Sequence, residues 1–321
     1  MAQAENRGAQ ARVAVVVPSY NHAPFVEQCL RSVFAQSSPP DRLLVIDDGS
    51  TDGSPQIIAN VLKDCPFPCE LIARPNRGLS ATLNEGLSRT TGELFAYIGS
   101  DDVWHPERLE AGVQALRENA GAVLAYSDCF IIDEEQRIVG STTDWSSYTS
   151  GPVFTDLMQV RFVPLSPTVL YRREAVAQFG WREDAPLEDY ETYLKLAYVG
   201  EFAYVPRNLG YWRKHGSNTS RDVSMMLKEA LEAQRRVADW CGMPRSELRR
   251  HQARLKFAFA GDILAAGQRW RAAKLSVMHA AGAPSIGVLA RRGARLLAPR
   301  SLLEKREALL AQRSALERGS L

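Results

Sequence analysis

The stretch VAVVVPSY, residues 13–20, is a short run of β-branched apolar residues that ends beside a proline. This pattern is typical of a strand that is buried on both faces of a sheet. Phe25, Cys29 and Val33 then recur at helical spacing, and RLLVIDDGS (42–50) follows as a second apolar run. The sequence therefore begins with a predicted βαβ unit, whose two strands lie parallel.

The alternation of strands and helices continues beyond this unit. The pattern predicts helices near 54–63 and 79–89, with strands at 69–73 and 93–99. Such alternation favours an α/β fold, with a Rossmann-like, mostly parallel sheet and helices on both faces. Ligands of these sheets bind at the carboxyl ends of the strands, which here are the polar segments PSYN, DDGSTD and GSDD.

The second half of the chain is less regular. A helix is predicted at 106–118, a strand at 123–133, a loop at 144–153 and a helix at 186–199. Beyond the strand-like FAYVP, Arg213 is expected in a loop.

Helical spacing dominates the C-terminal part of the chain. Pro244, Pro284 and Pro299 divide it into three or four predicted helices. We therefore expect three parts, namely a flexible tail at 1–12, an α/β domain at 13–224 and an all-helical region at 225–321.

The composition is that of a folded globular protein. Apolar residues make up 45% and charged residues 24% of the 321 residues, and no apolar run reaches the ~18–20 residues of a membrane span. The first dozen residues lack the apolar segment of a secretion signal, so a cytoplasmic protein is expected. Five cysteines without a zinc-binding spacing are predicted to be structural thiols.

The net charge of +2 conceals an uneven distribution. Residues 1–224 contain 20 Lys and Arg against 29 Asp and Glu, whereas residues 225–321 contain 19 against 8. The two parts therefore face different partners or each other. Because the basic residues lack interleaved aromatic side chains, nucleic acid is not expected as a partner.

The segment DDGSTD (47–52) has two interpretations. Asp and Gly are common in turns, so it can be a simple strand-ending turn. A turn does not require three carboxylates, however, and Asp47 and Asp48 at the end of a buried strand need donors. One of these carboxylates could accept the imide N–H of a pyrimidine base.

The segment YIGSDDVWHP (97–106) places two carboxylates after a strand. Asp102 can cap a helix that has Pro106 near its start, but this leaves Asp101 without a role. Magnesium and manganese bind carboxylate oxygens together with substrate phosphates. A divalent cation carried by a diphosphate is therefore the second interpretation.

The remaining candidates are an acidic helix start and two basic loops. Glu188, Asp189 and Glu191 begin a predicted helix, where they can oppose the helix dipole or supply a general base. The loop segments RKH (213–215) and NRG (76–78) each have two interpretations. Each can be a basic cluster on the surface or part of a clamp that binds a diphosphate.

Together these segments resemble, in their order, those of the family 2 glycosyltransferases. The matching segments are PSYN (18–21), DDGSTD (47–52), NRGLSATLNEG (76–86), SDD (100–102) and ED (188–189). The resemblance covers about 13–220 and implies the GT-A fold, one continuous α/β sheet that binds a nucleotide sugar.

The resemblance assigns the donor nucleotide to the first three segments. Pro18, Tyr20 and Asp48 would contact the nucleoside, and Asn21 belongs to the same donor-binding group. Arg77 would lie near the diphosphate.

It assigns the chemistry to the later segments. Asp101 and Asp102 correspond to the metal-binding acidic loop, with Asp102 the direct ligand and His215 a further one. Arg213 would help to hold the diphosphate, and Asp189 matches the catalytic base. The implied cofactor is a divalent cation, Mn²⁺ or Mg²⁺.

The implied reaction is a direct displacement with inversion at the anomeric carbon. The donor would be a nucleotide-diphosphate sugar, a UDP-sugar in the first place, and the acceptor a glycan or a lipid-linked hydroxyl. Gly99 stands where many relatives have the first Asp of Asp-x-Asp. The Gln-x-x-Arg-Trp segment of the processive polysaccharide synthases is absent, so transfer of a single sugar is expected.

Two other functions remain open at this point. A nucleotidyltransferase would also use acidic ligands, although VVVPSYNHAP is not its usual glycine-rich phosphate loop. A non-catalytic module that binds a nucleotide sugar is the second of these alternatives. The basic C-terminal segment 286–317 can cap the acidic domain, form a homo-oligomer or lie on an anionic membrane.

Overall fold

The computed structural model of the chain describes residues 11–216 and 222–299, and the single residues 301, 305, 309, 314, 318 and 321. Of the predicted N-terminal tail at 1–12, all but residues 11 and 12 lie outside the described residues. The same holds for most of the predicted basic segment beyond 299.

The described residues contain one nine-stranded sheet. Its strands are β1 (Val13–Ser19), β2 (Arg42–Asp47), β3 (Cys69–Ala73), β4 (Leu94–Tyr97), β5 (Val103–Trp104), β6 (Ala122–Ile132), β7 (Ile138–Ser141), β8 (Leu170–Arg172) and β9 (Glu201–Arg213). The strand order is β3-β2-β1-β4-β8-β6-β9-β5, and β7 pairs with β6.

The sheet is parallel in its first half and mixed in its second. Strands β3, β2, β1 and β4 pair in parallel, as the alternating pattern predicts. Strand β8 then runs antiparallel between β4 and β6, and β6 pairs in parallel with β9. The carboxyl ends of β1, β2 and β4 therefore meet at one edge.

Helices cover both faces of this sheet. They are α1 (Val26–Phe34), α2 (Ser54–Val61), α3 (Leu79–Arg89), α4 (Arg108–Glu118), α5 (Phe154–Met158), α6 (Arg173–Ala177) and α7 (Asp189–Val199). Val15 of β1 packs in one core with Leu30 of α1, and Val16 packs in the other core with Leu83 of α3. Both faces of the strand are buried because successive side chains point to opposite sides of the sheet.

Strand β9 is longer than the sequence predicts. Arg213 was expected in a loop, but it is the last residue of β9 and pairs with Ile132 of β6. The prediction was wrong because polar and aromatic residues with turn formers hide the pairing. The strand gains its stability from the neighbouring β6, which the local sequence does not show.

Within residues 222–299 four helices follow the sheet, in agreement with the predicted helical C-terminal region. They are α8 (Val223–Cys241), α9 (Arg245–Ala265), α10 (Arg269–Met278) and α11 (Ile286–Leu297). Pro244 separates α8 from α9, whereas Gly267, with φ of 80°, lies between α9 and α10. The described residues contain no helix with the length and apolar character needed to cross a membrane.

Helix α8 is fixed to the α/β part by polar contacts. Arg236 of α8 donates to Glu191 of α7 at 2.7 Å, and Gln234 donates to the Met158 carbonyl at 2.8 Å. Both Glu191 and Gln234 are buried. At this contact a basic side chain of the helical region pairs with an acidic side chain of the sheet domain, in keeping with the uneven charge distribution along the chain.

Candidate active site

Hydrogen bonds connect the segments PSYN and DDGSTD at the edge of the sheet. The Asn21 N–H donates to Ser50 Oγ at 2.8 Å, and Asn21 Oδ1 accepts the Thr51 N–H at 2.8 Å. Asn21 has φ of 54°, a left-handed conformation that Asn tolerates better than most residues. Asn21 therefore fixes the loop after β1 to the loop after β2.

Tyr20 and Pro18 differ in what they offer to a ligand. Tyr20 follows β1 and is 48% exposed, so its ring is free to stack on a planar group. Pro18 is buried within β1, where it pairs with Ile46 of β2. Of these two predicted nucleoside contacts, Tyr20 is the one whose side chain is accessible.

The buried carboxylate of Asp48 is supplied with donors by the next loop. It accepts the N–H groups of Arg77 and Gly78, each at 2.8 Å, and forms an ion pair with Arg74. These partners satisfy the charge that burial would otherwise make costly. The Arg77 side chain is 54% exposed, so it remains accessible while its backbone holds Asp48.

The turn after β2, at residues 47–49, requires glycine at position 49. Gly49 has φ of +83°, and a Cβ atom there would lie 2.8 Å from the backbone nitrogen of Asn76. The close approach brings the NRG segment against the DDG turn. The two segments therefore form one surface at the carboxyl end of β2.

Substitution of Asp48 by Asn is expected to destabilise the fold. An amide removes the charge from the pair with Arg74 and directs an NH2 group towards backbone donors, so about 3–5 kcal/mol of unfolding free energy should be lost. Urea denaturation measures this loss. Asp64→Asn, at a side chain that is 65% exposed, is the matched control and should change it by less than about 0.5 kcal/mol.

An Asp48→Asn protein with an unchanged urea midpoint would contradict the structural role of these donors. Binding of the nucleotide to the same variant is a separate measurement. Loss of stability with intact nucleotide affinity would assign Asp48 to the loop alone.

Asp102 lies at the junction of the acidic loop and β9. It is buried, and its Oδ1 accepts the Arg213 N–H at 2.9 Å. Burial and the charge of Asp101 raise the pKa of Asp102 well above its usual range. Asp102 does not cap the following helix, because β5 intervenes and Glu107 occupies the N-cap position of α4.

The guanidinium of Arg213 is the cation beside the acidic loop. Its Nε donates to the Asp101 carbonyl at 2.8 Å, its Nη1 to the Asp133 carbonyl at 3.1 Å and its Nη2 to Gln28 Oε1 at 2.7 Å. The residue is 1% exposed, and its guanidinium lies 4.9 Å from the centroid of the Phe25 ring. A diphosphate contact by Arg213 stays a prediction, since these donors already serve the protein.

Two histidines converge on Asp101. His215 Nε2 lies 2.8 Å from Asp101 Oδ2, and His22 Nδ1 lies 3.8 Å from Asp101 Oδ1. His22 Nδ1 also lies 2.8 Å from Ser100 Oγ. We call these residues, His22, Asp101 and His215, the His–Asp–His cluster.

The side chains of the His–Asp–His cluster are close enough together to hold a metal ion. One ligand atom from each residue can be chosen so that all lie within 4.8 Å of one another. Burial lowers the pKa of His22, which keeps the imidazole neutral and able to coordinate. Burial alone would raise the pKa of Asp101, but the hydrogen bond with His215 and the proximity of His22 lower it below its usual value.

The cluster differs in part from the predicted ligand set. His215 is present, as the resemblance implies, and Asp101 accompanies it. His22 was not predicted, although its position directly after PSYN at the edge of the sheet was an available signal. Direct ligation by Asp102 stays a prediction, because its Oδ1 is hydrogen-bonded to the end of β9.

Three acids at the start of α7 have different surroundings. Glu191 is buried and pairs with Lys195 and Arg236, each at 2.7 Å, so its role is structural. Glu188 and Asp189 are only partly buried. Removal from water raises the pKa of Asp189 to about 6, and the same effect together with the Asp189 charge raises the pKa of Glu188 to about 8.

The carboxylates at the start of α7 interact electrostatically with the acidic loop. The negative charge of Asp101 contributes to the raised pKa of Glu188. Burial raises the pKa of Tyr97, the last residue of the strand that leads into the acidic loop, and the charges of Glu188 and Asp189 add to this shift. Such interactions weaken with distance, so the start of α7 lies within electrostatic range of the acidic loop.

The family model described as glycosyl transferase family 2 matches residues 14–180. The chain belongs to glycosyl transferase family 2.

Relatives of this family 2 glycosyltransferase include uncharacterised and biosynthetic enzymes. An uncharacterized glycosyltransferase of Nostoc sp. is 27% identical over 229 residues, which cover 68% of this chain and 69% of the relative. A putative teichuronic acid biosynthesis glycosyltransferase of Bacillus subtilis, TuaG, is 26% identical over 195 residues, or 60% and 74% of the two chains.

Solved structures share the fold of this family 2 glycosyltransferase. TarS 1–349 of S. aureus, in complex with UDP-GlcNAc, superposes with a TM-score of 0.61 at 17% identity, over 95% of this chain and 88% of TarS. A mannosyltransferase of Pyrobaculum calidifontis, in complex with GDP-Man and Mn²⁺, gives 0.60 at 19% identity, over 96% and 87%. The predicted GT-A fold with a helical C-terminal region is confirmed.

Proposed function

We propose that this glycosyltransferase moves a single sugar from a nucleotide-diphosphate sugar, a UDP-sugar in the first place, to a hydroxyl acceptor with inversion. One arrangement carries the proposal. Asp189 begins α7 directly after Glu188, and Asp101 of the His–Asp–His cluster is close enough to Glu188 to contribute to its raised pKa. A base and a site for the leaving group can thus act on the same sugar.

Asp189 is the proposed general base. Its carboxylate accepts the proton of the acceptor hydroxyl while that oxygen attacks the anomeric carbon and the bond to the nucleoside diphosphate breaks. A pKa of about 6 leaves Asp189 ionised at neutral pH and close to the value that suits a base. Glu191 is excluded from this role by its pairing with Lys195 and Arg236.

The His–Asp–His cluster is the proposed cation site, with Asp102 as the ligand that the resemblance implies. A divalent cation bound there would offset the negative charge that develops on the leaving diphosphate. Carboxylate and imidazole together suit Mn²⁺ better than Mg²⁺, which binds through oxygen ligands. The Mn²⁺ bound in the related mannosyltransferase supports a divalent cation here.

The loops after β1 and β2 are the proposed nucleoside site. The exposed ring of Tyr20 can stack on the base, with Pro18 and Asn21 shaping the backbone beneath it. Asp48 Oδ1 accepts from Arg74 and Arg77, whereas Oδ2 accepts the Gly78 N–H and retains acceptor capacity, because each carboxylate oxygen has two lone pairs. An imide N–H of uracil fits that capacity, and Arg77 can reach the diphosphate from the same loop.

The acceptor belongs to the same proposal. A glycan or lipid-linked hydroxyl in polysaccharide or lipopolysaccharide synthesis fits a relative such as TuaG. We place the enzyme in the cytoplasm, with residues 13–224 as the catalytic unit and 225–321 as the helical region. That region would contact the inner face of the membrane or a second copy.

A donor screen tests the proposed function. The purified chain is incubated with UDP-, GDP- and other nucleotide sugars, with and without Mn²⁺, and release of the nucleoside diphosphate is measured. We expect one donor to be hydrolysed in the presence of Mn²⁺. This hydrolysis should stop when EDTA is added. NMR of the product should show the anomer opposite to that of the donor.

Three results would contradict the proposal. Release of pyrophosphate from a nucleoside triphosphate supplied together with a sugar 1-phosphate would indicate a nucleotidyltransferase, and saturable donor binding without release in the presence of acceptors would indicate a binding module. A product that retains the anomeric configuration would remove the inverting mechanism.

A further inference from the structure

Helices α10 and α11 form an antiparallel hairpin. Arg269 at the start of α10 donates to the carbonyl groups of Leu296 and Ala298 at the end of α11. A short turn at Ala280–Gly282 precedes α11 and reverses the chain. The beginning of each helix therefore lies beside the end of the other.

One side of this hairpin packs on α9. Ala272 and Ser276 are the buried residues of α10. On α11, Arg292 donates to the Phe257 carbonyl of α9 at 3.1 Å, and its guanidinium lies 5.0 Å from the Phe257 ring centroid. Both helices thus use one face to contact the same neighbour.

The opposite side of the hairpin exposes large apolar residues. Trp270 is 90% and Val277 77% exposed, and helical geometry places both opposite Ala272 and Ser276. Ile286 and Leu297 of α11 are each 87% exposed. We define the outer face of the hairpin by Trp270, Lys274, Val277, Ile286 and Leu297.

The sequence of the hairpin contains basic residues and no acidic ones. Between Asp262 and Pro299 the sequence contains six Lys and Arg and no Asp or Glu. Lys274 and Arg291 are both exposed. A surface that combines exposed Trp, Ile and Leu with basic side chains is complementary to an apolar layer under negative headgroups.

We propose that the outer face of the hairpin docks on an anionic lipid bilayer. Trp favours the interface between headgroups and acyl chains, and the basic side chains would meet the lipid phosphates. A second copy of the chain is a poorer occupant, because a two-fold contact would bring two positive faces together. This inference deepens the partner part of the proposed function and selects among the alternatives there.

Vesicle co-sedimentation of the full chain tests the proposal. We expect binding to vesicles of equal parts phosphatidylcholine and phosphatidylglycerol, little binding to phosphatidylcholine alone, and release as NaCl rises. The double substitution Lys274→Glu with Arg291→Glu should lower the partition coefficient about tenfold or more. Trp270→Ala with Ile286→Ala should lower it by a similar factor at constant charge.

Trp145→Ala is the matched control, since Trp145 is 59% exposed on the sheet domain. It should leave vesicle binding unchanged, and circular dichroism should show that all variants fold. No binding of the wild-type chain to anionic vesicles would overturn the proposal, as would equal losses in Trp145→Ala.

A wild-type dimer that Trp270→Ala dissociates, seen by light scattering without vesicle binding, would assign the face to a second copy instead. Donor turnover with a soluble acceptor and no vesicles should be the same in wild type and Trp270→Ala. Failure of docking is thereby distinguished from failure of the proposed sugar transfer.

Discussion

Asp189→Asn is expected to abolish sugar transfer while donor affinity stays within a few-fold of wild type. The amide has nearly the same shape as the carboxylate but cannot accept the proton of the acceptor hydroxyl. A general base contributes about 10²–10⁴-fold to a rate, so kcat should fall by that factor. Diphosphate release in the presence of acceptor measures kcat, and calorimetric titration with the donor measures affinity.

Asp184→Asn is the matched control for this substitution. Asp184 has a side chain that is 69% exposed and pairs with Arg182, so kcat of the Asp184→Asn enzyme should be unchanged. A fully active Asp189→Asn enzyme would remove Asp189 as the base.

The pH profile gives an independent check on the base. Because removal from water raises the pKa of Asp189 to about 6, the carboxylate becomes protonated as the pH falls through that value. We expect kcat/KM to be constant near neutral pH and to decrease about tenfold per pH unit well below pH 6. The decreasing limb should be missing from the residual activity of Asp189→Asn.

Asp101→Asn is expected to have the second largest effect, through the cation. Asp101 is the only carboxylate of the His–Asp–His cluster, and its loss should weaken Mn²⁺ binding by about tenfold or more. Titration of free Mn²⁺ by electron paramagnetic resonance measures the affinity without any turnover. His22→Ala should weaken binding in the same direction, which no sequence motif indicated.

His105→Ala is the control for the histidine substitutions, because His105 lies outside the cluster beside the start of α4. Mn²⁺ affinity should be unchanged in this variant. If Asp102→Asn weakens Mn²⁺ binding and Asp101→Asn does not, then the ligand implied by the family resemblance holds and the cluster does not bind the cation.

The first half of the fold could be predicted from the sequence, because its strands carry a strong local signal. Strands buried on both faces appear as continuous apolar runs, as in VAVVVPSY and RLLVIDDGS. The short strands β5 and β8 gave no such signal. Their hydrogen bonds come from partners far along the chain, such as Tyr171 of β8 opposite Phe95 of β4.

The sequence was sufficient to predict which loops form the candidate site, but not which side chains in those loops contact each other. Parallel strands bring their carboxyl ends to one edge, which was enough to expect PSYN, DDGSTD and SDD together. Which atoms meet depends on the loops themselves. His215 and Asp101 are separated by 114 residues, and His22 was one histidine of five without a recognised motif.

Arg213 explains why the acidic loop needs no ligand to hold its shape. Through three donor groups it connects the Asp101 backbone to Gln28 on α1 and to Asp133 after β6. The conformational entropy of this loop is therefore lost when the chain folds and not when a ligand arrives. Contacts made by an incoming nucleotide sugar can then contribute to affinity in full, because the framework is preorganised.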